Sequence, residues 1–324
     1  MKYSENAINI LTAKNYRGIG RAWIVKHLKG NEKVEAIVSL INKFSKEEYP
    51  ATIEGFEKNK AILKEKLKKL EGYADGLAAI GDSFFPKYRG KVKNSEQPIY
   101  LFYRGDINLL AEDNKNIAVI GLLEPDKYTE IAEQEVVSEF VKNRAYILSG
   151  LAFGCDTIAH KQALALNGKT IAVLPGTLNN ILPSANKDLA DEIVKKSGLL
   201  VTEYYEEAKS QLELRGRYQE RDRLQALFSD AVVLCASYAK NNLGNDSGSR
   251  LAMGYALNYS IPRAVIYNLE SDCDNPKYDL NRELINDDKE IFVINKNNLI
   301  SSVKKIMSLK KSKEPVQMSL FDLM

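Results

Sequence analysis

The chain has 324 residues, 44% hydrophobic and 27% charged, with a net charge of +3; this is the composition of a folded, water-soluble protein with room for two or three domains. The small charge excludes a histone-like polycation but leaves room for a local basic groove. Three widely spaced cysteines (Cys155, Cys235, Cys273) and two histidines (His27, His160) match neither a disulfide framework nor a zinc-site spacing, so no metal and no cofactor are expected.

Residues 1–73 read as a small N-terminal helical domain. Ile8, Ile10 and Leu11 lead into an RGIG turn (Arg17 to Gly20), Trp23, Ile24, His27 and Leu28 recur at helical spacing, and Ile62, Leu63, Leu67 and Leu70 form an apolar stripe. No signal-peptide pattern opens the chain. No segment approaches the roughly 18 apolar residues of a membrane span. The expected compartment is the cytoplasm, without membrane contact. Residues 74–115 read as a segment joining the core, with DSFFPKYRG (Asp82 to Gly90) and IYLFYRGD (Ile99 to Asp106) inside it.

From residue 116 to 307 the pattern becomes that of an α/β fold. NIAVIG (116–121), AYILSG (145–150), TIAVLPG (170–176), GLLVTEY (198–204), DAVVLCAS (230–237), PRAVIYN (262–268) and IFVIN (291–295) are apolar, β-rich runs. Helical segments such as TEIAEQEVVSEFVKN and DTIAHKQALALNG alternate with them, which implies βαβ units and a parallel sheet buried on both faces. The last stretch, 308–324, is Lys-rich and then apolar, and reads as a flexible tail.

Four constellations carry chemistry. In SGLAFGCDTIAH, Ser149 and Gly150 close a strand, Gly154 permits close backbone approach, and Asp156 or Thr157 caps a helix whose free N–H groups suit phosphate; the plain alternative is a chain turn with an ordinary cap. His160 reads as a packed residue, since no nucleophile is spaced to work with it. In PGTLNNILP, Gly176 and Thr177 present donors at the carboxyl end of the sheet, or form a simple loop. Arg215, Arg217, Arg221 and Arg223 crowd around Tyr218, the forks suiting phosphates and the ring an unpaired base; Glu220 and Asp222 offer instead a surface helix laced with ion pairs. Ser247, Gly248, Ser249 and Arg250 lie at a further helix start.

Taken in order, these segments resemble the DNA-processing protein A family (DprA, also called Smf). SGLAFGCDTIAH is similar to its S-G-x-A-x-G-x-D-x-x-A-H motif, with Cys155 where Ile or Val is usual, and TIAVLPGTLNNILP, YQERDRLQALFSD and SGSRLAMGYAL resemble three further motifs. The resemblance implies an extended Rossmann-like sheet with a helix-hairpin or SAM-like N-terminal domain. It further implies a homodimer, single-stranded DNA as ligand, and a RecA-type recombinase as partner. It puts Arg221, Arg223 and Lys161 on backbone phosphates. Two departures stand out: Leu122 and Leu123 follow Gly121 where the family has Ser/Thr-Arg, and Asp222 replaces Asn. The tail segment Gln317, Met318, Ser319, Leu320, Phe321 resembles the peptide by which bacterial replication proteins dock on the sliding clamp.

The leading expectation is a DNA-binding adaptor, not an enzyme, whose binding weakens steeply with salt. A second is a DNA- or nucleotide-sensing regulator, with a partner from a toxin or phage-defence locus. A third, nucleotide phosphoribohydrolase chemistry, lacks the second glycine and the glutamate of that loop in PGTLNN.

Overall fold

The computed structural model describes residues 1–240 and 248–309. The N-terminal region begins with β1 (Lys2–Tyr3), followed by α1 (Glu5–Ala13), α2 (Arg21–His27), α3 (Val34–Phe44) and α4 (Ile53–Leu67). Ser4 and Thr52 cap α1 and α4, each accepting a main-chain N–H of the first turn. Ile8, Ile10, Leu11, Ile24, Leu28, Leu63, Leu67 and Leu70 are buried as their spacing demands, while Ile62 points to solvent.

Among the described residues, ten strands form one sheet. After β1 come β2 (Gly76–Ala79), β3 (Tyr100–Gly105), β4 (Asn116–Ile120), β5 (Tyr146–Ser149), β6 (Thr170–Val173), β7 (Leu199–Thr202), β8 (Ala231–Leu234), β9 (Arg263–Ile266) and β10 (Phe292–Ile294), in the spatial order β1-β2-β3-β7-β6-β5-β4-β8-β9-β10. Every neighbouring pair is parallel except the two that β3 makes, with β2 and β7. All seven β-rich runs are strands of this extended Rossmann-like sheet.

Three strands lie outside the sequence reading. Lys2 and Tyr3 pair with Gly76 and Leu77, so the first 73 residues are not wholly helical. The joining segment supplies β2 and β3, and through β3 the sheet is mixed rather than wholly parallel. Between the strands run α5 (Lys127–Lys142), α6 (Cys155–Ala165), α7 (Lys187–Lys195), α8 (Gln211–Leu227), α9 (Ser249–Asn258), α10 (Leu269–Asp272), α11 (Asp279–Asp287) and α12 (Leu299–Ser308).

The two-residue period of the strands feeds a separate core on each face. Ile171, Val173, Leu199 and Val201 join one cluster, with α5, α9 and α12. Ala172, Leu174 and Leu200 join the other, with the N-terminal helices. Both faces are therefore covered, as apolar parallel strands require. Among the described residues no helix is long and apolar enough to cross a membrane.

Candidate nucleic-acid interface

β4 lies between β5 and β8, so the chain connections diverge at its carboxyl end, the place where open α/β sheets leave a crevice for ligands. A cleft of about 580 Å³ occupies that position. Its floor is Ile120, Gly121 and Ala252; one wall comes from the loop before α6 (Ala152, Phe153) and the first turn of α6 (Asp156), and the other from α8.

Helical geometry decides which residues of α8 reach the cleft. Arg215, Tyr218, Arg221, Asp222 and Gln225 fall within about 120° of one another around the helix, and all five line the cleft. Arg215 is exposed, without a partner among the described residues. Arg221 is buried between two carboxylates, Nη1 lying 3.2 Å from Asp156 Oδ2 and Nε 3.3 Å from Asp222 Oδ1, and its guanidinium sits 5.5 Å from the Tyr218 ring centroid. Burial pushes the Asp222 carboxyl up to about 7, with Arg221 opposing the rise and Asp156 adding to it.

Two glycines make this packing feasible. A Cβ at Gly150 would lie 1.2 Å from Arg221 Nη1. Gly154 has φ +68, and a Cβ there would come within 2.2 Å of the Leu122 carbonyl oxygen. The sequence offers this turn either as a phosphate cradle or as a plain chain turn, and its contacts are those of the plain turn. The N–H groups of Gly150 and Ala152 both donate to Asp156 Oδ2, and that of Cys155 donates to the Leu122 carbonyl. The chain's own carboxylate and carbonyl therefore occupy the phosphate cradle expected at the start of α6.

The arginine cluster also divides. Arg223, on the opposite side of α8, is fully buried: Nη2 lies 2.6 Å from Glu203, Nε 3.2 Å from Glu220, and Nη1 donates to the Glu96 carbonyl. Arg21 of α2 joins the same carboxylates, 3.0 Å from Glu203 and 2.6 Å from Glu220. Arg217 pairs with Glu213 at 2.6 Å, donates to the Glu206 carbonyl, and covers the Tyr204 ring at 4.2 Å. Neither Arg217 nor Arg223 is placed to meet a phosphate. Glu203, Arg21 and the Glu96 and Glu206 carbonyls, all outside α8, tie this helix onto the rest of the molecule.

The other site candidates scatter. Ser149 Oγ donates to the Val119 carbonyl and ties β5 to β4. Lys161 is exposed on α6, away from the cleft lining. The Gly176 carbonyl accepts from Thr202, and Thr177 is buried outside the cleft lining. Gly248 and Ser249 do line the cleft, and Ser249 Oγ donates to the Gly121 carbonyl; Arg250 lies outside the lining. Ser247 and the 317–321 peptide lie outside the described residues. His160 is buried, its ring Nδ1 2.6 Å from Thr170 Oγ1. That hydroxyl already donates to the Ile147 carbonyl, so Nδ1 carries the proton. Burial pushes the ring down to about 4.

Sequence reasoning missed the apolar rim. Leu123 and Phe153 line the cleft at 56% and 50% exposure, whereas Leu122 is buried beneath them. It also missed a cluster below the floor: Glu133, Cys155 and Cys235, the described side chains whose donor set suits a metal.

Fold and cleft together define an extended Rossmann-type protein with an open cleft at the sheet's switch point. Residues 76–304 match the family described as DNA recombination-mediator protein A, and the chain belongs to that family. It is 30% identical over 146 residues to the DNA processing protein DprA of Bacillus subtilis, covering 45% of this chain and 48% of that protein. It is also 30% identical over 183 residues to that of Streptococcus pneumoniae, covering 55% and 60%. The chain thus aligns with about half to three-fifths of these relatives' lengths. Among solved structures, DprA from Streptococcus pneumoniae superposes with a TM-score of 0.68 at 23% identity, over 93% of this chain and 98% of that one. The Helicobacter pylori protein, whose structure is described in terms of its single-stranded DNA binding mode, gives 0.56 at 26% identity, over 71% and 95%.

Proposed function

We propose that the cleft binds single-stranded DNA, a base stacking on Tyr218 against the Leu123–Phe153 rim while the exposed Arg215 draws in a flanking phosphate and Arg221, held by Asp156 and Asp222, supports the Tyr218 ring. The observation that carries this reading is the single face of α8 that brings an aromatic ring and the exposed Arg215 to an open cleft at the switch point. Family membership and the single-stranded DNA described for the Helicobacter pylori relative support it. With Arg217 and Arg223 held by carboxylates, the electrostatic part is small. Each phosphate contact on a single strand contributes about −0.7 to the slope of log affinity against log salt, so the one contact from Arg215 gives a slope of roughly −0.7. Fluorescence anisotropy of a labelled oligonucleotide across a salt series tests this. A slope of −4 or steeper would return the DNA track to a broad basic surface.

In this reading the protein is a binding module rather than an enzyme. What supports that is a histidine shut in the core and two serine hydroxyls, Ser149 and Ser249, both committed to carbonyls. It acts as a DNA-processing adaptor that passes the strand to a RecA-type recombinase as a homodimer in the cytoplasm, with the 317–321 peptide docking on the sliding clamp. Pull-down of purified recombinase and clamp by the full chain, with and without Phe321→Ala, tests both partners. One observation favours a second reading: the exposed Leu123 and Phe153 form an apolar rim suited to a protein partner from a toxin or defence locus. A stoichiometric complex dissociated by DNA would support that reading, and its absence on co-purification would remove it.

A further inference from the structure

Directly under the cleft floor, three side chains outside the cleft lining converge. Glu133 projects from the middle of α5, Cys155 is the first residue of α6, and Cys235 follows β8. One ligand atom of each lies within 4.8 Å of the others, and all three residues are completely buried. Neither carboxylate oxygen of Glu133 has a hydrogen-bond partner of normal geometry among the described residues, although both thiols approach it. The groups acting on it most strongly are the two thiols and Asp156, none of which is a cation.

A carboxyl in such a place either keeps its proton or meets a positive ion. Burial holds the Glu133 carboxyl and the Cys235 thiol well above their ordinary ranges. Its donor set, two sulfurs and one oxygen, matches a thiophilic or borderline d10 cation far better than magnesium or calcium, which take oxygen ligands. Ligand atoms about 2.0–2.3 Å from a tetrahedral zinc ion stand roughly 3.3–3.8 Å apart, within a small side-chain adjustment of the present spread.

The cluster is also close to an entrance. Gly121 lines the cleft, and a Cβ on it would lie 2.5 Å from Cys155 Sγ and 3.2 Å from Cys235 Cβ. The main chain of Gly121 separates the sulfurs from the open cleft.

We propose that Glu133, Cys155 and Cys235 form a buried site for one thiophilic divalent cation, with zinc(II) the best match. On binding, the metal forms two bonds to sulfur and one to oxygen, while the two thiols and the carboxyl release three protons. The site then carries one negative charge, and a fourth position is left for a small ligand such as water.

The test is a cobalt titration of the full chain, purified under reducing conditions and treated with a chelator. The proposal expects a thiolate-to-cobalt charge-transfer band that saturates at one equivalent and is bleached by zinc, with three protons released per metal. Cys155→Ser and Cys235→Ser should each weaken binding on the order of 100-fold or more. Cys273→Ser, at the exposed third cysteine, should leave it unchanged. Glu133→Gln keeps the size of the side chain and removes an ionisable ligand, so it should fold and yet bind metal more weakly, which guards against serine variants that fail to fold. The proposal is overturned if the wild-type chain gives no band with cobalt or zinc. It is equally overturned if the band survives in Cys155→Ser and Cys235→Ser, or if intact mass shows the two cysteines joined as a disulfide in the metal-free protein.

Discussion

The two faces of α8 show how one helix serves two purposes. Arg221 and Arg223 are only two residues apart, yet about 200° separates them around the helix axis. On one face Arg215, Tyr218 and Arg221 border an open cleft. On the other, Arg223 is sealed against Glu203 and Glu220, together with Arg21 from the N-terminal helices. A run of arginines in sequence is therefore not a basic track in space. Partners elsewhere in the chain decide which guanidinium is left to meet a ligand.

The sharpest way to break this comparison is to truncate the buried face. Arg223→Ala leaves Glu203 buried with only Arg21 as partner, and breaking a buried pair in this way costs about 3–5 kcal/mol. Chemical denaturation should show that loss, while the remaining folded protein keeps its affinity for single-stranded DNA. Equal stability in wild type and variant would mean that Arg223 is not the lock described here.

Truncation of the cleft face should do the reverse. Tyr218→Ala removes one stacking platform, worth about 1–3 kcal/mol per base, so affinity should fall roughly 5- to 150-fold with little change in the denaturation midpoint.

A smaller effect comes from pH. Asp222 has its carboxyl raised to about 7, so below that value it is neutral and the cleft gains relative positive charge. Affinity for the strand should decline as pH rises through 7, by at most about tenfold per pH unit for a single proton, and Asp222→Asn should flatten the profile. Stability follows the same sign. The folded carboxyl holds its proton more tightly than its ordinary value of 3.8 allows in the unfolded chain. Its contribution is therefore complete below about pH 4 and is lost as pH rises through 7. Smallest of all is Gly216→Ala. A Cβ there meets nothing within 4 Å, so the change should stabilise the exposed helix by about 0.5–1 kcal/mol and leave DNA binding unaltered.

Much of the fold was legible because the strands from β4 to β10 are apolar runs that alternate with helices, a signal that needs no distant partner. β2 and β3 were not, because Gly76–Ala79 is short and Tyr100–Gly105 reads as a connector until β7 is placed beside it. The glycine turn before α6 was legible too, though not that Asp156 fills it. Arg223 was misread for the same reason: Glu203 and the Glu96 carbonyl lie 20 and 127 residues away. The helical spacing of Arg215, Tyr218, Arg221 and Gln225 was the available clue to the cleft face. No local spacing could have brought Cys155, Cys235 and Glu133 together, since the sheet order does that.

The central claim is that the cleft face of α8 holds the strand. Its most direct test is the affinity of a labelled single-stranded oligonucleotide for the wild-type chain, for Arg215→Ala/Tyr218→Ala, and for Lys161→Ala. The account predicts a large loss in the double variant, whose residues border the cleft, and none in Lys161→Ala, which sits outside it. Unchanged binding in the double variant with loss in Lys161→Ala would contradict the account and move the DNA track onto α6.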